Sequence, residues 1–205
     1  MTEPGLRERK KAATRAALSR TAWTMMLEQG LDAVTPESVA AAADMAPRTF
    51  RYHFRNREEA ILDELAQQHT RLAGLLRESP ADEPIWDCLH RVVPPAVAGF
   101  AGDRGDFAKL IAVIAANPSM LAQNLLMLEN VRGLLATAIG ERTGTDPHAD
   151  PYPGLLAGAV TTAISLSVAH WATDSTTTPL PELVGDCLTR FRAGLPAPAA
   201  PETGT

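Results

Sequence analysis

The chain has 205 residues, a formal net charge of -5, 45% hydrophobic residues and only 5% aromatics. That length allows one compact domain or a small domain joined to a larger one, and that apolar content excludes wholesale disorder. Alanine is abundant and alternating runs of Val, Ile, Thr and Tyr are missing, which favours helix over strand.

The net charge argues against nucleic acid, but its distribution does not. Residues 1–60 hold ten Lys/Arg against eight Asp/Glu, a balance of +2, whereas residues 61–205 hold nine against sixteen, a balance of -7. An asymmetry of this kind marks a nucleic-acid-facing end. Cys88 and Cys187 stand far apart, with no CxxC or Cys/His cluster, so no zinc, other metal or cofactor is expected. Two lone cysteines suit a reducing cytoplasm. The opening MTEPGLRERKK is charged and lacks the apolar segment of a secretory signal.

In chain order, Leu6 to Gln29 contains no Pro or Gly and carries Leu18, Ala22, Met25 and Met26 at helical spacing, with Gly30 as a stop. Thr35-Pro36-Glu37-Ser38 reads as a helix start, with Thr35 as cap and Pro36 in the first helical position. A short helix through Val39 and Ala43 follows, then a turn at Asp44-Met45-Ala46. Pro47 opens a second short helix reaching Phe54. Asn56 caps a further helix to about Arg77. Pro80 to Pro84 interrupts the pattern. A helix then runs to near Phe100, with Pro94-Pro95 expected to distort or split it. Gly102 to Gly105 reads as a turn. Helices are expected over Phe107–Ala116 and Leu121–Ile139, with Asn117-Pro118 marking the second start. Gly144 to Pro153 is a loop, and a last helix spans about Pro181 to Ala193. Residues 196–205 are expected to be a disordered tail.

Gly154 to Thr173 carries no charge and approaches membrane-span length. Its Thr161, Thr162, Ser165, Ser167, His170 and Thr173 make it too polar for lipid. A helix buried on both faces is expected instead, and no membrane partner. The sum is an all-α chain of about nine helices.

The stretch Thr35 to Arg57 carries the function. Phe50 and Phe54 stand four residues apart and share one helix face, with Val39 and Ala43 facing them and Met45 filling the space between. Small alanines let two short helices cross closely, which is the packing of a helix-turn-helix. The opposite face offers Pro47, Arg48, Arg51, Tyr52 and the region of His53, side chains suited to a major-groove wall. Arg48 is the best choice for a bidentate guanine contact. Arg57, Lys11 and Arg15 are assigned to phosphate, and Arg7 and Lys10 to an N-terminal arm.

The run TPESVAAAADMAPRTFRYHFRNREEAIL, with the preceding LRERKKAATRAALSRTAWTMMLEQG, resembles the DNA-binding signature of the TetR family of bacterial repressors. The match is gapless across about residues 12–62, and the rest is similar only in length and helical pattern. The resemblance implies a phosphate contact for Thr35, contacts to base edges and backbone for Arg48 and Thr49, phosphate contacts for Tyr52 and His53, and a backbone grip for Arg57. Three positions depart from the pattern: Ala46 stands for a common serine, Asp44 for the usual turn glycine, and Arg51 for an aromatic.

The expected organisation is a DNA-binding domain over 1–55 and a helical ligand-binding and dimerisation domain over 56–195. The last two helices would pair with their copies in a four-helix bundle. The resulting homodimer would bind a near-palindromic double-stranded DNA operator and be released by a small, lipophilic effector. Effector contacts are expected from Trp86, His90, Phe100, Phe107, Gln123, Asn124, Met127 and His170. No GxSxG, HExxH, Walker or GxGxxG pattern occurs, so no enzyme activity is expected. The alternative is a helical small-molecule or acyl-chain binding protein that does not bind DNA.

Overall fold

The structure, a computed structural model, describes residues 5–101, 103–173 and 176–196. Among these residues there are nine α-helices and no strand: α1 (Leu6–Gln29), α2 (Pro36–Ala42), α3 (Pro47–His53), α4 (Arg57–Glu78), α5 (Ile85–Ala101), α6 (Arg104–Ala116), α7 (Pro118–Thr143), α8 (Tyr152–Ala172) and α9 (Leu180–Arg192). A 3-10 turn, Leu31–Ala33, links α1 to α2. This is the all-α architecture expected from composition.

The boundaries follow local chemistry. Gly30 ends α1 at φ 86°, a conformation that costs glycine little. Thr35 caps α2 by accepting from the Ser38 amide at 3.0 Å, and Ser38 Oγ accepts from the Thr35 amide at 2.9 Å. That reciprocal pair satisfies amides left over at the helix start. Asn56 caps α4 through the Glu59 amide at 2.7 Å. Asp103 receives the amides of Gly105 and Asp106, so α6 begins at Arg104, three residues before its first large apolar side chain. The turn expected over Gly102 to Gly105 is corrected in its described part, since Arg104 and Gly105 belong to α6, and Gly102 lies outside the described residues.

One expectation is corrected: Pro94 and Pro95 sit inside α5 without splitting it. Each proline in a helix interior costs about 3 kcal/mol. Leu89, Val92, Val93 and Val97 are buried on the same helix, and each contributes about 1.5–3 kcal/mol. Packing on α4 and α9 therefore offsets the broken ladder.

The core is continuous. α4 is the connecting element, packing on α1 at one end and on α5 and α7 along its length. α7 lies on α8, and α8 and α5 both pack on α9. α8 is long and apolar enough to cross a membrane by length and composition. Within this chain it buries Leu156, Val160, Ala163 and Ile164 against its neighbours. Its other face leaves Leu155 and Leu166 at 69% and 60% exposure. Residues 197–205, most of the expected tail, lie outside the described residues.

Candidate functional site

The two short helices α2 and α3 pack together as a helix-turn-helix. Asp44 makes the turn at φ 55°, the left-handed conformation that an aspartate tolerates. Phe50 and Phe54 are buried, with ring centroids 5.5 Å apart. Val39 is buried beneath them, and Ala43 and Met45 pack against the same core. This inward face fixes the roll of α3.

The outward face of α3 presents Pro47, Arg48, Arg51 and Tyr52 to solvent, with Thr49 half-buried. Tyr52 is 68% exposed. Lys11 of α1 stands 5.8 Å from the Tyr52 ring centroid, which draws the start of α1 to the same surface. Arg51 forms an ion pair with Glu37 of α2. His53 meets the Tyr52 ring edge-on at 5.1 Å. Burial, reinforced by the positive charges of Arg15 and Lys11, holds the His53 imidazole below its ordinary pKa. From Met45 to Arg57 there is no acidic residue. Arg55, which the expected contact set omitted, is also exposed on this surface. The run R-x-x-R-x-x-x-R of residues 48–55 was its sequence signal.

Three further expected contact residues have structural partners. The Arg15 guanidinium turns inward. It donates to Asp63 at 2.7 and 2.9 Å, to Glu59 at 3.1 Å and to the backbone oxygen of His53, and it covers the Phe54 ring at 4.3 Å. Burial works against the Arg15 charge, but the bonds to Asp63 and Glu59 outweigh it and keep the guanidinium ionised. Burial raises the Asp63 carboxyl above its ordinary pKa in spite of those same bonds. Arg57 donates to the Leu31 backbone oxygen at 2.9 Å and to Glu58 at 3.2 Å, tying the start of α4 to the 3-10 turn after α1. Thr35 uses its hydroxyl on Ser38, as a cap. Arg7 and Lys10, expected to form an N-terminal arm, lie in the first turns of α1.

Helices α4, α6, α7 and α8 line an apolar cavity of about 300 Å³ that opens to solvent at Ala115, Leu121, Ser165 and Ala169. Phe107, Asn124 and Met127, three of the expected effector contacts, line it together with Leu65, His69, Ile111 and Val168. His69 is the residue that sequence reasoning missed. It is buried, with Nδ1 2.7 Å from the Leu65 backbone oxygen. A carbonyl only accepts, so Nδ1 carries the proton. Burial, partly offset by that bond, lowers the His69 pKa.

The other expected contacts lie elsewhere. Gln123 borders a small cleft beside Arg15. Trp86 and His90 are half-buried on α5, away from the cavity walls. His170 is exposed near the end of α8. The Phe100 side chain lies outside the described residues. A polar cleft of about 380 Å³ between α1, α4 and α6 is larger than the apolar cavity, but Arg20, Glu64, Gln68, Asp103 and Asp106 line it. The walls of the apolar cavity are of the kind that favours small-molecule binding. Among the described residues no group of His, Cys, Asp and Glu could hold a metal ion.

Comparison with known proteins bears on both halves. Residues 18–64 match the model of bacterial regulatory proteins, tetR family, and residues 83–196 match that of the MftR C-terminal domain. The chain belongs to the tetR family of bacterial regulatory proteins. It is therefore a transcriptional regulator with a DNA-binding helix-turn-helix and a helical ligand-responsive domain, and the alternative of a binding protein without DNA-binding activity is set aside. The HTH-type transcriptional regulator TcmR of Streptomyces glaucescens is 32% identical over 158 residues, 73% of this chain and 69% of that one. Two solved structures share the fold. The Thermus thermophilus FadR repressor, in complex with lauroyl-CoA, superposes with a TM-score of 0.62 at 19% identity, covering 93% of this chain and 100% of that one. The Pseudomonas aeruginosa NalD repressor does so at 0.53 and 16% identity, covering 91% and 97%.

Proposed function

We propose that this regulator is a homodimeric repressor that reads a near-palindromic operator with α3 and is released by a small effector held between α4, α6, α7 and α8. The observation that carries the reading is the acid-free outward face of α3, fixed by the buried Phe50–Phe54 pair. Arg48 contacts guanine, and Arg51 joins it by exchanging Glu37 for a base or phosphate. Thr49, Pro47, Tyr52, His53, Thr35, Lys11 and Arg55 line the phosphate backbone. Arg15 and Arg57 position the helices through their internal bonds. The functional division falls near residue 56, with α4 serving both parts.

The dimer forms through α8 and α9. Leu155 and Leu166 are exposed, with the small residues Gly158, Ala159 and Thr162 between them on one stripe of α8. A single chain leaves that stripe wet, and a second copy covers it. Two α3 helices then sit about 34–36 Å apart, one turn of DNA. The setting is the cytoplasm, and no catalytic step is involved.

The test is fluorescence anisotropy on DNA from the regulator's own upstream region. Tight, sequence-selective binding that weakens steeply with salt supports the reading. No selective binding at low salt would overturn it. Leu155→Glu combined with Leu166→Glu should give a monomer in sedimentation and cost more than about 100-fold in operator affinity, since both half-sites are then no longer held together. A dimer that persists in this variant rules out the α8 interface.

A further inference from the structure

We infer that the effector is an uncharged lipophile of modest size, such as an alcohol, ketone or neutral aromatic compound, and that fatty-acid anions and acyl-CoA esters are excluded. The inference rests on the proposed reading of the apolar cavity as the effector site.

The lining contains no Asp, Glu, Lys or Arg. Moving an ionised carboxylate from water into such a site without a partner costs several kcal/mol. His69 is the titratable side chain in the wall, and it supplies no cation. Its Nδ1 donates to the Leu65 oxygen at 2.7 Å, and its burial favours the neutral ring. The volume of about 300 Å³ lies at the lower end for ligand pockets, too small for a nucleotide-bearing ester.

A long ligand could keep its tail in the cavity and place a charged head outside. Both neighbouring clefts are hostile to an anion. The larger one shares Leu65 and Phe107 with the cavity, and there a single cation, Arg20, faces Glu64, Asp103 and Asp106. The smaller one shares Met127, and its Arg15 is already engaged by Glu59 and Asp63. Each neighbouring cleft therefore carries net negative charge, and the solvent-exposed rim of the cavity at Ala115, Leu121, Ser165 and Ala169 offers no cation. The fold is that of a repressor crystallised with lauroyl-CoA, but these walls offer nothing to a phosphate. Asn124 supplies the polar anchor, since its amide can donate to a carbonyl or accept from a hydroxyl.

The experiment uses the full-length dimer and four probes that share one ten-carbon chain: 1-decanol, decanoate, decylammonium and decanoyl-CoA. Calorimetry measures binding near neutral pH, and anisotropy measures release from the operator. Decanol is expected to bind at least about tenfold more tightly than the other three. Its binding should disappear in Ile111→Trp and in Ala115→Phe, two separate fillings of the cavity, each checked for helical content and operator binding. Decanoate or decanoyl-CoA equalling decanol, with both lost on filling, overturns the uncharged class and leaves the cavity reading intact. Decylammonium binding tightest also overturns it. Decanol binding unchanged by both fillings overturns the cavity reading and the inference with it. So does the absence of binding by all four probes at millimolar concentration.

Discussion

The DNA-facing end and the effector-facing end hold their functional side chains by different means. At the DNA-facing end, position is set by discrete polar bonds. Thr35 and Ser38 cap one another, Asn56 caps α4, Arg57 holds the Leu31 oxygen, and Arg15 holds α3, α4 and the Phe54 ring together. At the effector-facing end, position is set by apolar contact between helices distant in sequence, with His69, Asn124 and Ser165 as the polar residues of the wall. A surface that must present cations to phosphate needs rigid, directional supports. A cavity that must accept an apolar molecule needs walls that yield.

Replacing supports one at a time tests that contrast. The largest stability effect is expected for Arg15→Met, which leaves Asp63 buried and unpaired and should cost about 3 kcal/mol in urea unfolding. Arg15→Met combined with Asp63→Leu should regain most of that loss. If the single variant unfolds at the wild-type midpoint, Arg15 is not the brace of the DNA-facing end. Arg48→Ala should leave stability unchanged and cost about 1–3 kcal/mol of operator binding, with selectivity relaxed at one base pair. Uniform weakening across all sequences would instead assign Arg48 to phosphate. Thr35→Ala removes the cap of α2 and should cost about 1 kcal/mol of stability. A loss confined to DNA affinity would show that Thr35 serves the phosphate contact alone and not as a cap.

The smallest effect probes the other half. The folded-state pKa of His69 lies below the ordinary value, so its contribution to stability is present above about pH 6.5 and is lost as pH falls through the folded pKa. Urea midpoints should decline on acidification below that value. The decline should be shallower in His69→Leu, and an unchanged slope would show that His69 is not driving it.

The same contrast decides what was legible in the sequence. The Thr35 cap, the left-handed Asp44, the Phe50–Phe54 pair and the Asn56 cap are all interactions within a few residues, and they stand where the spacing places them. The bond from Arg15 to Asp63 was not legible because the two residues are 48 apart and no local pattern joins them. Arg57 likewise finds its carbonyl 26 residues upstream. In the effector-facing half, Phe107, Asn124 and Met127 meet in one cavity, but Trp86 and His90 do not. α5 turns its buried face to α4 and α9, and which cavity it borders depends on contacts distant in sequence. His69 escaped notice because a lone histidine in an amphipathic helix is an ordinary core residue until its neighbours are known.

The paired prolines of α5 have a kinetic consequence. Neither has an amide to exchange with solvent, and the carbonyls of His90 and Arg91 lose their donors from the next turn. The helix is thereby cut into two cooperative units for local opening. Ile85–Val93 is clamped by Cys88, Leu89, Val92 and Val93, whereas among the described side chains beyond the prolines only Val97 is buried. Gly99, in that second unit, forms part of the wall of the polar cleft beside α1. In hydrogen-exchange terms, the fastest-opening stretch of α5 is the one that borders the DNA-facing half.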